Sequence, residues 1–585
     1  MSDYQNTNLP TAARVADLLG RMSTAEKIAQ MTQVEKNSIN PGDVAELGIG
    51  SVLSGGGGNP DPNNPASWAS MVREFQEAAL ESRLGIPLLY GVDAVHGHNN
   101  VRGATIFPHT IALGAAGDAE LVRRVARATA LETAATGVRW DFAPMVSVVQ
   151  DIRWGRTYEA FGDDTAAVTE LSRAYLLGLQ DAGDGLGLAS PHAVMATPKH
   201  YLGDGATEWG TSKMEMMDFR FHIDQGDMRT DEATLRARYL PPYAAAVAAG
   251  ALSIMPSFSS WNGLKMHAHH YLLTDVLKGE LGFRGFLVSD WQAMDQVDAD
   301  YDTAVVKSVN AGLDMSMVPF NYHQFIDALS RAVERGDVPL SRIDDAVRRI
   351  LTAKFEMRLF ERPLGDPAEL SLVGAAAHRA LAREAAGRGM VLLRNENAAL
   401  PLKGGLIHAA GEAADSVGLQ CGGWTIHWLG GADRDLTEGT TILEGLIQAA
   451  PDGTRITYDP AGNFPGDEQA AVGLAFIHEA PYAEGFGDRA DLRLTAEQVA
   501  LIERVRARSE VVVVVLVTGR PLIITEHLHL ADAWVAAWQP GSEGQAVGDV
   551  LFGRVPFTGR LPLRWPRTMA DIPYGDNLFD RGYGL

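Results

Sequence analysis

The sequence predicts an α/β chain built as a (β/α)8-like barrel followed by an α/β sandwich domain. Three observations carry that reading. A length of 585 residues exceeds what one hydrophobic core usually serves, so more than one domain is expected. Through about residue 358, short apolar strands alternate with amphipathic helices, which implies a parallel sheet. A connector rich in Pro, charge and small residues, "RLFERPLGDPAELS" (358–371), then separates this region from a new set of strands. The expected division is 1–358 for the first domain, 359–371 for the linker and 372–585 for the second domain.

Taken in order, the strands of the first region are "IGSVLS" (49–54), "PLLYGVD" (87–93), "VRWDFAPM" (138–145) and "AVMATPKHY" (193–201). "ALSIMPSF" (251–258), "GFLVSD" (285–290) and "LDMSMV" (313–318) follow. Helices such as "DAELVRRVARATALETAATG" (118–137) lie between them, with apolar residues at helical spacing and Gly137 as a stop. Seven or eight such units fit a barrel better than an open doubly wound sheet. The second region resumes with a helix, "AAAHRALAREAAGRGMVLLRN" (375–395). Strands follow at 405–411, 455–459, 472–479, 510–519 and 533–541, with helices at 441–450 and 495–509. The unbroken apolar run Val511 to Val517 predicts a strand buried on both faces. "SGGGGNPDPNNP" (54–65) is the most loop-like stretch, and its glycines lack the Lys-Ser/Thr of a phosphate loop.

Composition narrows the function. With 46% hydrophobic and 21% charged residues the chain is globular. A net charge of −23 without any basic run argues against nucleic acid and anionic membranes, and fits a neutral or cationic ligand. One cysteine, Cys421, excludes an internal disulfide and a four-cysteine zinc site. No apolar stretch reaches the roughly 18 residues of a membrane span. The start, "MSDYQNTNLPTAARVADLLGRM", has no basic-then-apolar signal. The expectation is a cytoplasmic protein, or a periplasmic or secreted one if a leader was removed.

In a parallel barrel the carboxyl ends of the strands line the active face. Those ends carry Asp93, the loop with Arg153 and Arg156, Lys199 and His200, Ser257 and Phe258, and Asp290 and Trp291. They include no nucleophilic Ser elbow, no cysteine and no dinucleotide glycine motif, so no cofactor is expected. Aromatic faces stack on the C–H face of a pyranose, while Asp, Arg, Lys and His bond its hydroxyls, so the set suits a sugar. Asp290, at the tip of an apolar strand, is either a rigidly held nucleophile or the cap of a following helix. "HGH" (96–98) and "HAHH" (267–270) lack metalloprotease spacing and read as hydrogen-bonding residues, not metal ligands. "RWGRTYEAFGDD" (153–164) reads as a packed loop aiming a cation. "CGGWTIHW" (421–428) offers Trp424 and Trp428 as core or as a ligand platform.

These residues resemble the family-3 glycoside hydrolases, the β-glucosidase and exo-β-glucanase family. The likeness runs in order through "YGVDAVHGHN", "APMVSVVQDIRWGRTYEAFGDD", "PKHYLGDGA", "FSSWNGLKMHAH" and "GFLVSDW". It continues through "CGGWTIHW", "EAPYAEGFGD", "VTGRPL" and "WQPGSEGQAVGDVLFG", so nearly the whole chain is covered. The resemblance implies a retaining β-glucosidase or β-glucan glucohydrolase that frees glucose from nonreducing ends. It implies Asp290 as nucleophile and Glu484, on a loop of the second domain, as acid/base. It also implies that Asp93, Arg156, Lys199 and His200 hold the terminal glucose. Trp291 and Trp428 would clamp the next sugar, with Trp424 a weaker member of that clamp.

A retaining reaction needs one ionised and one protonated carboxyl, about 5 to 5.5 Å apart. Neighbouring cations are expected to favour charged Asp290, and desolvation to raise the pKa of Glu484. Glu479 is the reserve acid, and Glu543 reads as structural. The chain departs from the family pattern at Phe258, where Tyr is usual, at Gln296, where Arg often stands, and across 206–220. The alternatives are a β-N-acetylglucosaminidase, a phosphorylase using Lys213 and Arg220 for phosphate, or a noncatalytic sugar-binding protein. The expected partner is a β-glucoside or β-gluco-oligosaccharide, with no nucleic acid and no membrane.

Overall fold

The computed structural model describes residues 2–585. Its first region is a curled parallel sheet. Ser316–Met317 pairs with Thr32–Glu35, and pairing passes on through Ser51–Ser54, Leu89–Val92 and Trp140–Asp141 to Met195–Ala196. Lys199–Tyr201 continues that last pass and pairs with Ser253–Pro256, which pairs with Phe286–Leu287. A parallel bridge from Val288 to Met315 returns to the starting strand, so eight chain passes follow one another around the sheet.

Seven of the eight passes coincide with apolar runs expected from the sequence. The eighth, Thr32–Glu35, does not, because alternating Thr, Gln, Val and Glu reads as polar. All four residues are nevertheless buried. Gln33 Nε2 donates to Ser51 Oγ at 2.7 Å and Thr32 Oγ1 donates to the Ile28 carbonyl, so these two donors are satisfied inside the barrel, while Gln33 Oε1 has no protein partner. Outside the sheet, Ala119–Ala135 is helical as its periodicity requires. Asp118 caps it by accepting from the Glu120 and Leu121 N–H groups.

The second region is one six-stranded sheet in the order Val391–Asn395, Ala533–Ala536, Ser509–Val517, Ala470–His478, Leu406–Ala410, Arg455–Tyr458. The first pair is antiparallel and the others are parallel. The helix expected over 375–395 is shorter. It spans Ala376–Gly389, after which Val391–Asn395 forms an edge strand. Gly387 and Gly389 weaken the helix, and the apolar run that follows is buried by pairing instead. In the central strand Val512, Val514 and Leu516 pack on one face while Val513, Val515 and Val517 pack on the other, as the continuous apolar run demanded.

Two buried charges lock the regions together. Arg520 is fully buried and pairs through Nε with Glu479 at 3.0 Å. Its Nη1 donates to the Arg153 carbonyl at 3.0 Å and its Nη2 to the Gly487 carbonyl at 2.6 Å. Asp488 accepts from the backbone N–H groups of Gly155, His222, Ile223 and Asp224 at 2.9 to 3.0 Å. Side chains of the second region therefore satisfy backbone groups of the first.

Removing one partner of a buried ion pair typically costs about 3–5 kcal/mol. Arg520→Met should therefore lower the calorimetric melting temperature by roughly 2–4 °C. It should also separate the unfolding of the two regions. A melting temperature within about 1 °C of wild type would remove Arg520 as the strut between them.

Candidate active site

The carboxyl ends of the barrel strands open into a cavity of about 660 Å³. Asp93, Arg156, Lys199, His200, Asp290 and Trp291 line it from the barrel, and Trp424, Trp428 and Glu484 line it from the second sheet. All nine residues singled out for a sugar site thus meet in one space.

Asp290 follows the Phe286–Leu287 strand. Its backbone N–H donates to His267 Nε2 at 3.1 Å, and its Oδ1 accepts from the Trp291 N–H at 2.7 Å. No helix starts there. Gln292 takes a left-handed φ of +52°, a short turn covers Ala293–Gln296, and the next helix, Tyr301–Ala311, is capped by Asp300. The capping reading of Asp290 is therefore replaced by a carboxylate presented to the cavity. Oδ2 is buried with no protein hydrogen-bond partner and lies 3.6 Å from His200 Nε2. Burial pushes the Asp290 carboxyl up to about 6, although Arg156, the Trp291 N–H and Lys199 pull it down. The expectation that neighbouring cations would dominate is corrected: desolvation outweighs them.

The groups around Asp290 are themselves held. Lys199 Nζ donates to Asp93 Oδ1 at 2.8 Å. His200 Nδ1 lies 2.7 Å from Asp204 Oδ2, and Asp204 is held in turn by the Ser147 hydroxyl. Burial drives the His200 pKa well below its ordinary value, so the ring is neutral. With Nδ1 donating to Asp204, its Nε2 lone pair faces Asp290 Oδ2. Arg156 makes two 2.9 Å bonds to Glu159 and approaches Glu484 Oε1 at 3.4 Å. Arg153 points elsewhere, pairing with Asp151 and stacking 4.5 Å over Trp209. Ser257 turns its hydroxyl to Ser259.

Glu484 opens the turn Glu484–Gly487 at a left-handed φ of +52°, and its side chain is 17% exposed. Its backbone presses on the barrel: a Cβ on Gly155 would lie 1.9 Å from the Glu484 carbonyl oxygen. Burial pushes the Glu484 carboxyl up to about 7; Arg156 lowers it and Asp290 raises it further. The reserve residue, Glu479, is bound by Arg520, Arg489, the Tyr482 hydroxyl and the Gly519 N–H, and does not line the cavity. Glu543 pairs with Arg379 at 3.0 Å, in keeping with its structural reading.

Trp291 and Trp428 are half-buried at the mouth and pack edge-on against Phe320 and Phe486. Trp424 is buried below them, its ring 5.7 Å from Lys199 Nζ. The four-glycine loop, expected only to be a loop, shapes the wall. A Cβ on Gly56 would lie 2.8 Å from Trp428 Cβ, and one on Gly55 would lie 3.3 Å from Asp93 Oδ2. Its position directly after the Ser51–Ser54 strand was the available signal. Phe258 and Gln296 also line the cavity, bridged by Lys265, which donates to the Phe258 carbonyl and to Gln296 Oε1. The histidine clusters make hydrogen bonds: His96 with Phe107 and Thr425, His98 with Thr136, and His267 with Asp290. Lys213 lines a neighbouring groove and Arg220 is exposed, and neither lines this cavity.

Two carboxyls of different pKa, cations, a neutral imidazole and indoles around one polar pocket can bind a sugar and cleave its glycosidic bond. Residues 23–353 match the glycosyl hydrolase family 3 N-terminal domain and residues 390–585 its C-terminal domain. The chain belongs to glycoside hydrolase family 3. It is 33% identical to a lysosomal β-glucosidase of Dictyostelium discoideum, over 99% of this chain and 76% of that protein. The crystal structure of an exo-1,3/1,4-β-glucanase from a Pseudoalteromonas species superposes with a TM-score of 0.91 at 38% identity. That match covers all of this chain and 75% of the other. A β-glucosidase from Listeria innocua, solved with glucose, matches with a TM-score of 0.85 at 27% identity, over 98% of this chain and 83% of its own. This chain is a glycoside hydrolase with the family's two-region architecture.

The raised Asp290 pKa has a sign that can be tested. An unfolded aspartate titrates near 3.9, so folding takes up a proton between about pH 4 and 6. Stability on this account falls as pH rises through that window, and the deficit is full above about 6. Asp290→Asn removes it and lets Nδ2 donate toward His200 Nε2. The variant should gain roughly 1–3 kcal/mol at pH 7.5 and little at pH 4. Thermal melts showing no gain, or an equal gain at both pH values, would contradict this.

Proposed function

We propose that this glycoside hydrolase is a retaining, exo-acting β-glucosidase, with Asp290 as nucleophile and Glu484 as acid/base. The observation that carries the reading is the pair itself. One carboxyl comes from each region into a shared cavity, and Glu484 titrates higher, at about 7, than Asp290, at about 6. The more acidic group attacks and the less acidic one holds the proton.

Glucose would sit with its hydroxyls on Asp93, Lys199, His200 and Arg156, all buried at the cavity floor. A closed polar floor admits a terminal ring and not a chain interior, hence exo action. Asp290 Oδ2 attacks the anomeric carbon while Glu484 gives its proton to the departing glycosidic oxygen. The C–O bond breaks, leaving an alcohol and a glucosyl ester on Asp290. Glu484, now a carboxylate, takes a proton from water, which attacks the same carbon and releases Asp290 and β-glucose. Arg156 contacts Glu484 and carries the Glu159 pair, so it also steadies the negative charge left on Glu484.

The kcat/KM profile should be a narrow bell with limbs near pH 6 and 7, belonging to the coupled pair. NMR should show β-glucose before mutarotation; initial α-glucose would overturn retention.

Glu484→Ala separates the acid from Glu479. It should slow alkyl glucosides about 10²–10⁴-fold more than dinitrophenyl glucoside, whose leaving group needs no proton. Azide should restore turnover of the activated substrate and give β-glucosyl azide. Glu479→Ala should show neither effect. Exchange of these two behaviours would move the acid to Glu479.

A further inference from the structure

The catalytic cavity changes character with depth. At its floor the lining is charged and buried. At its mouth Met214 and Met216 are half-buried, while Met217 and Phe320 are 74% and 50% exposed, and all four line the same space as Glu484. The polar side chains beside them are Gln292 and Asp295, and Gln225 and Gln296, which hydrogen-bond each other at 2.7 Å. The methionines and Phe320 offer a second sugar ring no hydrogen-bond donor and only weak acceptors in sulfur. Hydroxyls placed against them would lose water without a partner, whereas an apolar group would gain contact. Methionine, unbranched and polarizable, adapts to flat or irregular apolar shapes and contacts aromatic rings favourably.

The methionines sit on a built element. Glu215–Met216 and Phe219–Arg220 form an antiparallel hairpin within the 206–220 stretch that departs from the family pattern. Its base is fastened to the Glu484 turn. Phe221 packs edge-on against Phe486 at 5.4 Å and over Gly485, where a Cβ would come within 2.2 Å of its ring. The N–H groups of His222, Ile223 and Asp224, just beyond the hairpin, are those held by Asp488. The turn that carries the proton donor and the apolar roof therefore form one packed unit, and a group protonated by Glu484 departs beneath that roof.

Resting on the reading of Glu484 as acid/base, we infer that this methionine hairpin selects the leaving group. The preferred substrates are β-glucosides of apolar alcohols or phenols, not extended glucans. The indoles of Trp291 and Trp428 supply the flat faces and Met214 and Met216 close over the group between them.

Alkyl β-glucosides from methyl to hexyl test this, because their leaving groups have nearly the same basicity and differ only in apolar contact. The inference expects kcat/KM to rise about twofold per methylene, roughly half the gain of full burial at an open mouth. Hexyl glucoside should exceed cellobiose and laminaribiose about tenfold or more. In the Met214→Gln/Met216→Gln double variant, whose changes lie on partly exposed positions, the rise should flatten to near zero per methylene. A flat series in wild type, or faster cleavage of the disaccharides, overturns the inference while leaving the catalytic reading intact. A steep series unchanged in the double variant overturns the assignment to the hairpin. If wild type cleaves no β-glucoside, p-nitrophenyl β-glucoside included, the catalytic reading falls and this inference with it.

Discussion

Arg520 is a guanidinium with no exposed surface, and the site depends on where its five donors go. One edge meets Glu479, and the others reach carbonyls of 152–154 in the barrel and of Gly487 beside Glu484. Burying a charge this completely costs several kcal/mol unless every donor is matched. The matches come from both regions, so the charge is tolerated only when the two are docked in one geometry. Asp488 applies the same logic with opposite sign, a carboxylate answered by four backbone N–H groups of the barrel. Glu484 lies in sequence between Glu479, which Arg520 pairs with, and Asp488. Its turn ends at Gly487, whose carbonyl Arg520 holds, which is how a loop residue acquires a fixed position over a strand-tip aspartate.

Docking also sets the chemistry. Covering the strand ends removes water from Asp290 and Glu484, and desolvation is the largest influence on both. Arg156 lowers both pKa values without cancelling that effect. Burial thus raises both carboxyls toward neutrality, and Asp290 raises Glu484 further. The same burial that tunes the pair is unfavourable for folding, because two carboxyls are kept in a place where neither ionises easily. On the proposed mechanism function and stability are opposed at Asp290, and the buried ion pairs and apolar cores elsewhere offset the difference.

Much of this was legible in the sequence wherever one residue type has one physical use. Asp290 stood out because a carboxylate at the end of Phe-Leu-Val has no reason to be there in a plain strand. The central strand of the second sheet was legible because seven apolar residues in a row must be covered on both faces. Thr32–Glu35 was not legible, since a Thr-Gln-Val-Glu run reads as polar while its burial rests on contacts outside the run, Ser51 for Gln33, Ile28 for Thr32 and Asn37 for Glu35. Val391–Asn395 was hidden because an apolar run following a helix carries no mark of where the period changes. Glu484 and Glu479 could be separated only by resemblance, because a glutamate at the end of the expected 472–479 strand is as near the strand tips as one in the loop that follows. What sets Glu479 apart, its binding by Arg520, Arg489 and Tyr482, lies in contacts 3 to 41 residues away. The four-glycine wall and the methionine roof are invisible to a reading that looks only for charge, since their work is shape.

The central claim is that a buried aspartate of the barrel attacks a sugar whose leaving group is served by a glutamate of the other region. The most direct measurement is mass spectrometry of the enzyme after brief exposure to dinitrophenyl 2-deoxy-2-fluoro-β-glucoside. Its fluorine slows breakdown of the ester, and its leaving group needs no acid. The account predicts one fluoroglucosyl adduct, mapped to Asp290 in wild type. It predicts the same adduct, longer-lived, in Glu484→Ala, which lacks the base that activates water. An adduct on any other residue, or loss of labelling in Glu484→Ala with the fold intact, would contradict it.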